Sequence, residues 1–437
     1  MSQPSKSAKL LPIALTVIIL ILAATTVGVL LFLANQPVQT RGIPTLVAID
    51  PLEPDSSKWG LNFPNQYTSF LKMRENVTRT QYGGSEPYQK VEADPRLKRL
   101  FAGNPFSKDY KEDRGHVYSL QDVRETQRVN EKTPGTCYSC KTANAPKLWV
   151  EMGPVEFAKT PFKDLGQHID QPIGCANCHE AGTMRLIVTN PALEAALKEQ
   201  GKDWRTFTRQ EMRTVVCANC HVEYYFAGPE KVLTFPWDHG TTIEAIEQYY
   251  EELGFSDWQH AESGAAMIKI QHPEYELYTA DSTHYKAGVA CADCHMPYVR
   301  EGAVKYSSHN VRSPLLNPAQ SCGACHTDVD YVVARVGQIQ RQVATTMSAS
   351  EDALVAAIDA IAAAAANPNA DPALLDEARR LHRVAQMRWD FIAAENSMGF
   401  HNPEEALRIL AASIDLARQA QLKALQAVGG GTIQARR

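Results

Sequence analysis

The ten cysteines of this chain fall into five Cys-x-x-Cys pairs with none left over. Four pairs are followed at once by histidine: Cys175/Cys178/His179, Cys217/Cys220/His221, Cys291/Cys294/His295 and Cys322/Cys325/His326. The first pair, Cys137/Cys140, is followed instead by Lys141, in the run Thr136-Cys137-Tyr138-Ser139-Cys140-Lys141. CxxCH is the attachment signature of c-type haem, in which two thioethers fix the porphyrin and the adjacent histidine supplies an iron ligand. Zinc held by two CxxC pairs needs no histidine directly after each second cysteine, and a redox dithiol needs only one pair. The expectation is five covalently bound haem c groups. Since the first motif alters only the ligand, the haem it holds is the one set aside for chemistry.

Lysine is a strongly basic amine that burial or metal binding can hold neutral. As the proximal ligand it leaves the opposite iron face open or weakly filled. The other four haems, as electron relays, each want a second axial ligand, most simply histidine. Of the thirteen histidines, four lie in the motifs and nine remain. That inventory permits four bis-histidine haems without saying which histidine serves which motif.

The elements that position these groups are mostly helical. Residues 59–327 are rich in turns, with short helical pieces and little strand alternation, so a mostly α catalytic body with irregular connections is expected. The motifs are unevenly spaced, which speaks against a duplicated array. After His326 the composition shifts, and residues 328–437 read as a long helical region. A first helix runs over 328–366 and breaks at Asn367-Pro368-Asn369. Asp371 with Pro372, and Asn402 with Pro403, give the start signals of two more, the last running to Val428 before Gly429-Gly430-Gly431. Leu407, Leu410, Ile414, Leu416 and Leu422 are expected on the buried face of that last helix. A helical tail of this length is also a natural surface for self-association.

Residues 10–34 form a run of 25 without a charge, preceded by Lys6 and Lys9. Such a helix is long enough to span a bilayer, and the flanking lysines place the N-terminus inside and the remainder outside. Residues 1–36 are therefore expected to be an N-terminal transmembrane anchor. A cleaved signal peptide is the rival reading, weakened by the length of the run and by Leu33-Ala34-Asn35-Gln36 as a cleavage site. Residues 37–58 carry Pro37, Pro44, Pro51 and Pro54 and read as an extended linker. The net charge of −5 and the lack of a basic block argue against a nucleic-acid partner.

The chain resembles the pentahaem cytochrome c nitrite reductases, the ammonia-forming enzymes, over roughly residues 88–425. The resemblance rests on Arg114-Gly115-His116, Asp122-Val123-Arg124 through Arg128, the CYSCK motif, His221-Val222-Glu223-Tyr224-Tyr225-Phe226, Phe235-Pro236-Trp237, Lys269-Ile270-Gln271-His272-Pro273-Glu274-Tyr275 and His401-Asn402-Pro403-Glu404-Glu405. It implies that Lys141 is the proximal ligand of the catalytic haem and that Arg128, Tyr224 and His272 line its distal pocket. It further implies distal ligands His309, His116, His401 and His284 for the second to fifth haems. A calcium ion would take the side chains of Glu223 and Gln271 and the carbonyls of Tyr224 and Lys269, an oxygen set suited to a hard cation. A homodimer formed through the C-terminal helices and a membrane-bound quinol-oxidising multihaem cytochrome as electron donor follow from the same resemblance. His168, His239, His260 and His382 match no such role and read as structural or exposed.

The activity these expectations describe is reduction of nitrite to ammonium by six electrons, on the outer face of the cytoplasmic membrane or in the periplasm. Nitrite is a small anion, and Arg128, His272 and a nearby cation would favour it. His272 is the best-placed group to deliver protons. A pure electron-transfer cytochrome would need a sixth ligand on every haem and no pocket, which Lys141 argues against. A related multihaem enzyme acting on sulfite or hydroxylamine shares the pocket chemistry.

Overall fold

The computed structural model describes residues 18–28, 46–112 and 114–429, and the chain divides into two units, residues 1–44 and 45–437. Within the first unit, residues 18–28 are helical and exposed. Among the described residues no helix is long and apolar enough to cross a membrane. The transmembrane helix expected over residues 10–34 falls mainly outside the described residues.

The second unit is mostly helical. Its strands are two to four residues long and pair only as antiparallel two-stranded ribbons among the described residues. One ribbon, Tyr225–Ala227 (β1) with Val232–Thr234 (β2), sets Tyr225 opposite Thr234. Helix Ile243–Leu253 (α1) starts at Thr242, whose side chain accepts from the Ala245 amide, and stops at Gly254, whose φ of 60° is the left-handed cap that glycine adopts without strain.

Three long helices follow: Val329–Ala365 (α2), Pro372–Ala394 (α3) and Pro403–Ala427 (α4). Their starts are those expected from sequence. Asp328 accepts from the Tyr331 amide, Asp371 from Ala373 and Leu374, and Asn402 from Glu405, with Pro372 and Pro403 at the first helical positions. Each cap satisfies one or two otherwise unpaired amide donors, worth about 1 kcal/mol.

The buried face of α4 differs from expectation. Ala406, Leu410, Ser413, Ala417, Ala420 and Ala424 are buried, whereas Leu407, Ile414 and Leu416 are only half-buried and Leu422 is exposed. Small side chains let α4 approach α2 and α3 closely. Ser413 Oγ lies 2.7 Å from Ser350 Oγ on α2 and donates to the Ala385 carbonyl on α3 at 2.6 Å. Leu410 is buried as expected, Leu407, Ile414 and Leu416 pack against the core from its edge, and Leu422 faces solvent.

These helices share their core with the segments that build the site. Leu354 and Ile358 of α2, Trp389 and Phe391 of α3 and Leu410 of α4 pack in one cluster with Phe101, Ile246, Tyr250, Ile268 and Ile270. Burying each large apolar side chain contributes about 1.5–3 kcal/mol. Ile268 and Ile270 therefore anchor their segment. Lys269, between them, is buried too and meets Asp390 of α3, Nζ to Oδ1, at 2.9 Å.

Candidate active site

The five motifs sit on tight helical turns: Gly135–Tyr138, Cys175–Asn177, Val216–Asn219, Cys291–His295, and the turn after Pro318–Ser321. In three of the histidine motifs the histidine amide closes onto the first cysteine carbonyl: His179 to Cys175 at 3.0 Å, His221 to Cys217 at 2.9 Å and His326 to Cys322 at 2.9 Å. Lys141 departs from this pattern, its amide donating to the Tyr138 carbonyl at 3.0 Å. None of the ten cysteines is paired in a disulfide.

Cys325 differs from the other nine cysteines in exposure. The other nine attachment cysteines are half-buried, whereas Cys325 is exposed. The reason is its place in the fold: residues 323–328 form an exposed turn that leads into α2, at the edge of the body. Exposure does not remove Cys325 from its motif, because its carbonyl partner is the same as elsewhere, the Cys325 amide donating to the Cys322 carbonyl at 3.1 Å. It does make this the least enclosed of the five attachment positions.

Neighbouring motifs touch. Cys140 Sγ is 3.8 Å from the Asn219 carbonyl, inside the third motif, and its thiol meets that of Cys220. The thiol of Cys217 meets that of Cys291, and Cys294 lies within electrostatic reach of Cys322 and Cys325. Cys178 acts on Cys220 in the same way. The third motif is thus a hub that reaches the first, second and fourth, with the fifth beyond the fourth.

Each distal histidine expected from the resemblance faces the histidine of its own motif. Ring centres are 6.1 Å apart for His179 and His309, and 6.3 Å for His221 and His116. They are 6.3 Å apart for His295 and His401, and 6.4 Å for His326 and His284. Two metal–nitrogen bonds of ~2.0–2.1 Å, plus ~1.1 Å from each nitrogen to its ring centre, give ~6.3 Å across one six-coordinate metal. His221 is also 6.3 Å from His272, so distance alone does not distinguish its partners. Nδ1 of His221 is 3.6 Å from Glu274 Oε2 and Nδ1 of His272 is 3.9 Å from Oε1 of the same carboxylate. Both rings thus flank the Glu274 carboxylate, beyond hydrogen-bond distance.

In other pairs Nδ1 faces a backbone carbonyl. His179 Nδ1 lies 3.0 Å from the Met184 carbonyl, His295 Nδ1 3.1 Å from that of Arg312, and His309 Nδ1 2.9 Å from that of Ser307. An N–H at Nδ1 leaves the Nε2 lone pair for a metal. Met184 holds a φ of 56°, unusual for a residue with a side chain, in the turn that presents its carbonyl.

Arg128, Tyr224 and the first motif share one neighbourhood. Arg128 acts electrostatically on Cys137 and on Tyr224, and Tyr224 in turn feels Cys137 and Cys140. Arg128 is held from two sides. Its Nε donates to Thr126 Oγ1 at 3.0 Å, and its guanidinium lies 4.1 Å from the Phe106 ring centre. Thr126 in turn donates to the buried Asp109 carboxylate. Burial pushes the Tyr224 phenol well above its ordinary pKa, so it remains a neutral O–H donor.

Tyr224 and His272 are each one residue beyond a bonded pair, since the Gln271 amide donates to Glu223 Oε2 at 2.6 Å. Glu223 is fully buried and accepts from the Tyr250 hydroxyl at 2.8 Å. Desolvation drives its carboxyl pKa well up. Gln271 Nε2 is 2.9 Å from the Lys269 carbonyl. Glu223, Gln271 and the Lys269 carbonyl, expected to share a cation, thus stand together beside Tyr224. Among the described residues no three His, Cys, Asp or Glu side chains cluster as a metal site. This set contains a single carboxylate and otherwise amide and carbonyl oxygens.

His168 and His239 are exposed, and His260 and His382 are buried against one another with ring centres 5.2 Å apart. Three site residues had no role in the sequence reading: Glu274, Glu395, whose Oε2 is 3.0 Å from His401 Nδ1, and Phe106 beneath Arg128. Glu274 lies within a stretch that carries the resemblance. Glu395 and Phe106 gave no signal, because their importance depends on what folds against them.

The family model for cytochrome c552 matches residues 55–436. Cytochrome c-552 from Parabacteroides distasonis is 40% identical over 381 residues, covering 86% of this chain and 77% of its own. Cytochrome c nitrite reductase subunit NrfA from Nitratidesulfovibrio vulgaris is 39% identical over 412 residues, covering 84% of this chain and 78% of its own. Among solved structures, the catalytic subunit of cytochrome c nitrite reductase from Desulfovibrio desulfuricans, described with two calcium sites, superposes with a TM-score of 0.83. It is 38% identical and covers 88% of this chain and 89% of its own. By sequence and by fold, the chain belongs to the cytochrome c552 family, as an enzyme of the cytochrome c nitrite reductase kind.

Proposed function

We propose that this protein reduces nitrite to ammonium by six electrons at a haem c ligated by Lys141, fed through four bis-histidine haems. The observation that carries the proposal is the set of four histidine pairs, with ring centres 6.1–6.4 Å apart. They stand beside one motif whose ligand position is Lys141. The residues fit the group: the pairs have the spacing of a six-coordinate metal, and Nδ1 of His179, His295 and His309 is occupied by a backbone carbonyl. Haem c would supply electron relay and, at Lys141, an iron for the substrate.

The pocket side chains do the remaining work. Arg128, fixed by Thr126 and Phe106, offers an immobile positive charge to a small anion. Tyr224 donates a hydrogen bond from a phenol that stays protonated. His272, with Nδ1 3.9 Å from Glu274, delivers protons as N–O bonds break.

A calcium ion beside the pocket is supported by the donor chemistry, with Glu223 and Gln271 side chains and the Tyr224 and Lys269 carbonyls as ligands. A cation there would offset the cost of a fully buried carboxylate at Glu223. A homodimer through α2–α4 is supported by exposed Tyr331, Leu422 and Leu425 on these helices. We further propose export to the outer face of the membrane or the periplasm, anchoring through residues 10–34, and a membrane-bound quinol-oxidising multihaem cytochrome as donor. Mass spectrometry of the mature N-terminus together with fractionation checks the anchor: an intact segment in the membrane fraction supports it, and a start near Asn35 would mean a cleaved signal.

The test of the activity is an optical and EPR spectrum of the oxidised protein with and without nitrite, alongside an assay of ammonium formed. One haem responding while four remain low-spin supports the reading. Five low-spin haems indifferent to nitrite would leave only an electron-transfer protein.

A further inference from the structure

The expected axial histidines differ in what their Nδ1 faces, and His221 stands 3.6 Å from the Glu274 carboxylate, beyond hydrogen-bond distance. His179, His295 and His309 donate to backbone carbonyls, which are neutral acceptors. His401 meets a carboxylate, Glu395 Oε2, at 3.0 Å, and that side chain is 0% exposed.

The loop around this carboxylate is built to hold it. Ser397 donates to Oε2 through its amide at 3.1 Å and its hydroxyl at 2.7 Å, and the Gly399 amide donates to Oε1 at 2.5 Å. Gly399 has a φ of 76°, and a Cβ there would come within 2.7 Å of Val343 on α2. Only glycine closes this turn against the helix. Next to Glu395, Asn396 donates to Glu274 at 2.6 Å, which braces the segment from its other side.

We propose that Glu395 is a positioning residue that sets the electron affinity of one relay haem, the one expected between His295 and His401. The inference rests on the bis-histidine reading given above. A charge-assisted hydrogen bond draws the Nδ1 proton toward the carboxylate, so the imidazole becomes a stronger donor at Nε2. Stronger donation stabilises ferric over ferrous iron and lowers the potential, a lever that a neutral carbonyl applies more weakly. The fourth motif lies between the third, through Cys217 and Cys291, and the fifth, through Cys294 and Cys322. A low-potential carrier at that position passes an electron readily to either neighbour.

The test is an optical redox titration of the holoenzyme with EPR of each low-spin haem, in wild type, Glu395→Gln and Ser397→Ala. Glutamine keeps the shape and a neutral acceptor, so one midpoint potential should rise while the others hold. Ser397→Ala removes a donor that competes for Oε2, so the carboxylate accepts more strongly from His401 and the same potential should fall. Ser397 Oγ also accepts from the His401 amide at 2.9 Å. A purely structural role would therefore move both variants in the same direction, and that result overturns the proposal. So does an unmoved potential in Glu395→Gln. If Glu395→Gln does not assemble, the sign in Ser397→Ala decides: a fall supports the proposal, and a rise or no change overturns it. Wild type lacking four bis-histidine signals would instead sink the underlying reading, whatever the variants do.

Discussion

Nδ1 of His272 faces Oε1 of Glu274 at 3.9 Å, and that carboxylate is almost wholly buried. Its other oxygen faces His221, the histidine of the third motif, at 3.6 Å. One buried acid therefore stands between His272 and the histidine of the third motif, at ion-pair rather than hydrogen-bond distance.

Proton delivery is separable from anion binding. His272→Asn should retain nitrite binding and lose turnover by ~10²–10⁴-fold, as for loss of one acid–base group. Arg128→Ala should weaken binding as well. Steady-state kinetics with nitrite and hydroxylamine check this, because hydroxylamine already lacks one N–O bond. His272→Asn should hurt nitrite more, and equal losses would assign it a structural role.

Lys141→His should keep haem attachment, since Cys137 and Cys140 remain. Nitrite reduction should fall because the iron is tuned by a different ligand. Turnover equal to wild type at full haem content would remove the special role of the lysine.

Chelation should act at Glu223. Removing a calcium ion leaves a fully buried carboxylate without its cation, so EDTA should lower both the unfolding temperature and activity, with recovery on adding calcium. Glu223→Gln should be insensitive to the chelator. A chelator effect persisting in that variant would place the cation elsewhere.

The Lys269–Asp390 pair bridges the site segment to α3. Asp390 Oδ2 also accepts from the Ile270 amide at 2.9 Å. Asp390→Asn strands a buried ammonium and should cost ~3–5 kcal/mol in a denaturant titration. A loss below ~1 kcal/mol would show that the pair does not hold the segment.

His382 predicts a pH dependence. It is fully buried between Ser263 Oγ and Gln386 Oε1, both at 3.1 Å, and desolvation lowers its pKa from 6.5 to about 3. Below pH 6.5 the unfolded chain binds a proton that the folded chain refuses, so stability falls from there down to about pH 3. Melting temperature against pH should be flatter in His382→Gln over that window. Parallel profiles would assign the acid sensitivity to other groups.

What the sequence determined by itself was local chemistry. Cysteine spacing, the single lysine after a pair, and the Asp-Pro and Asn-Pro helix starts are interactions between near neighbours in the chain, so they are readable without a fold. The uncharged N-terminal run is equally legible as a stretch, although its structure lies mainly outside the described residues. Spacing makes the ten cysteines equivalent, and only the fold sets Cys325 apart on an exposed turn. The histidine inventory likewise only permitted pairing. His116 reaches His221, and His179 reaches His309, across more than a hundred residues, a juxtaposition that chain geometry alone decides. The buried face of α4 was read only in part: Leu410 is core and Leu407, Ile414 and Leu416 line its edge, but Leu422 is exposed and close approach to α2 and α3 selects Ala417, Ala420 and Ala424. Glu274 and Glu395 were invisible for the same reason. A glutamate in a sequence is by default a solvated charge, and only packing that removes its water and brings an imidazole to one oxygen turns it into part of a site.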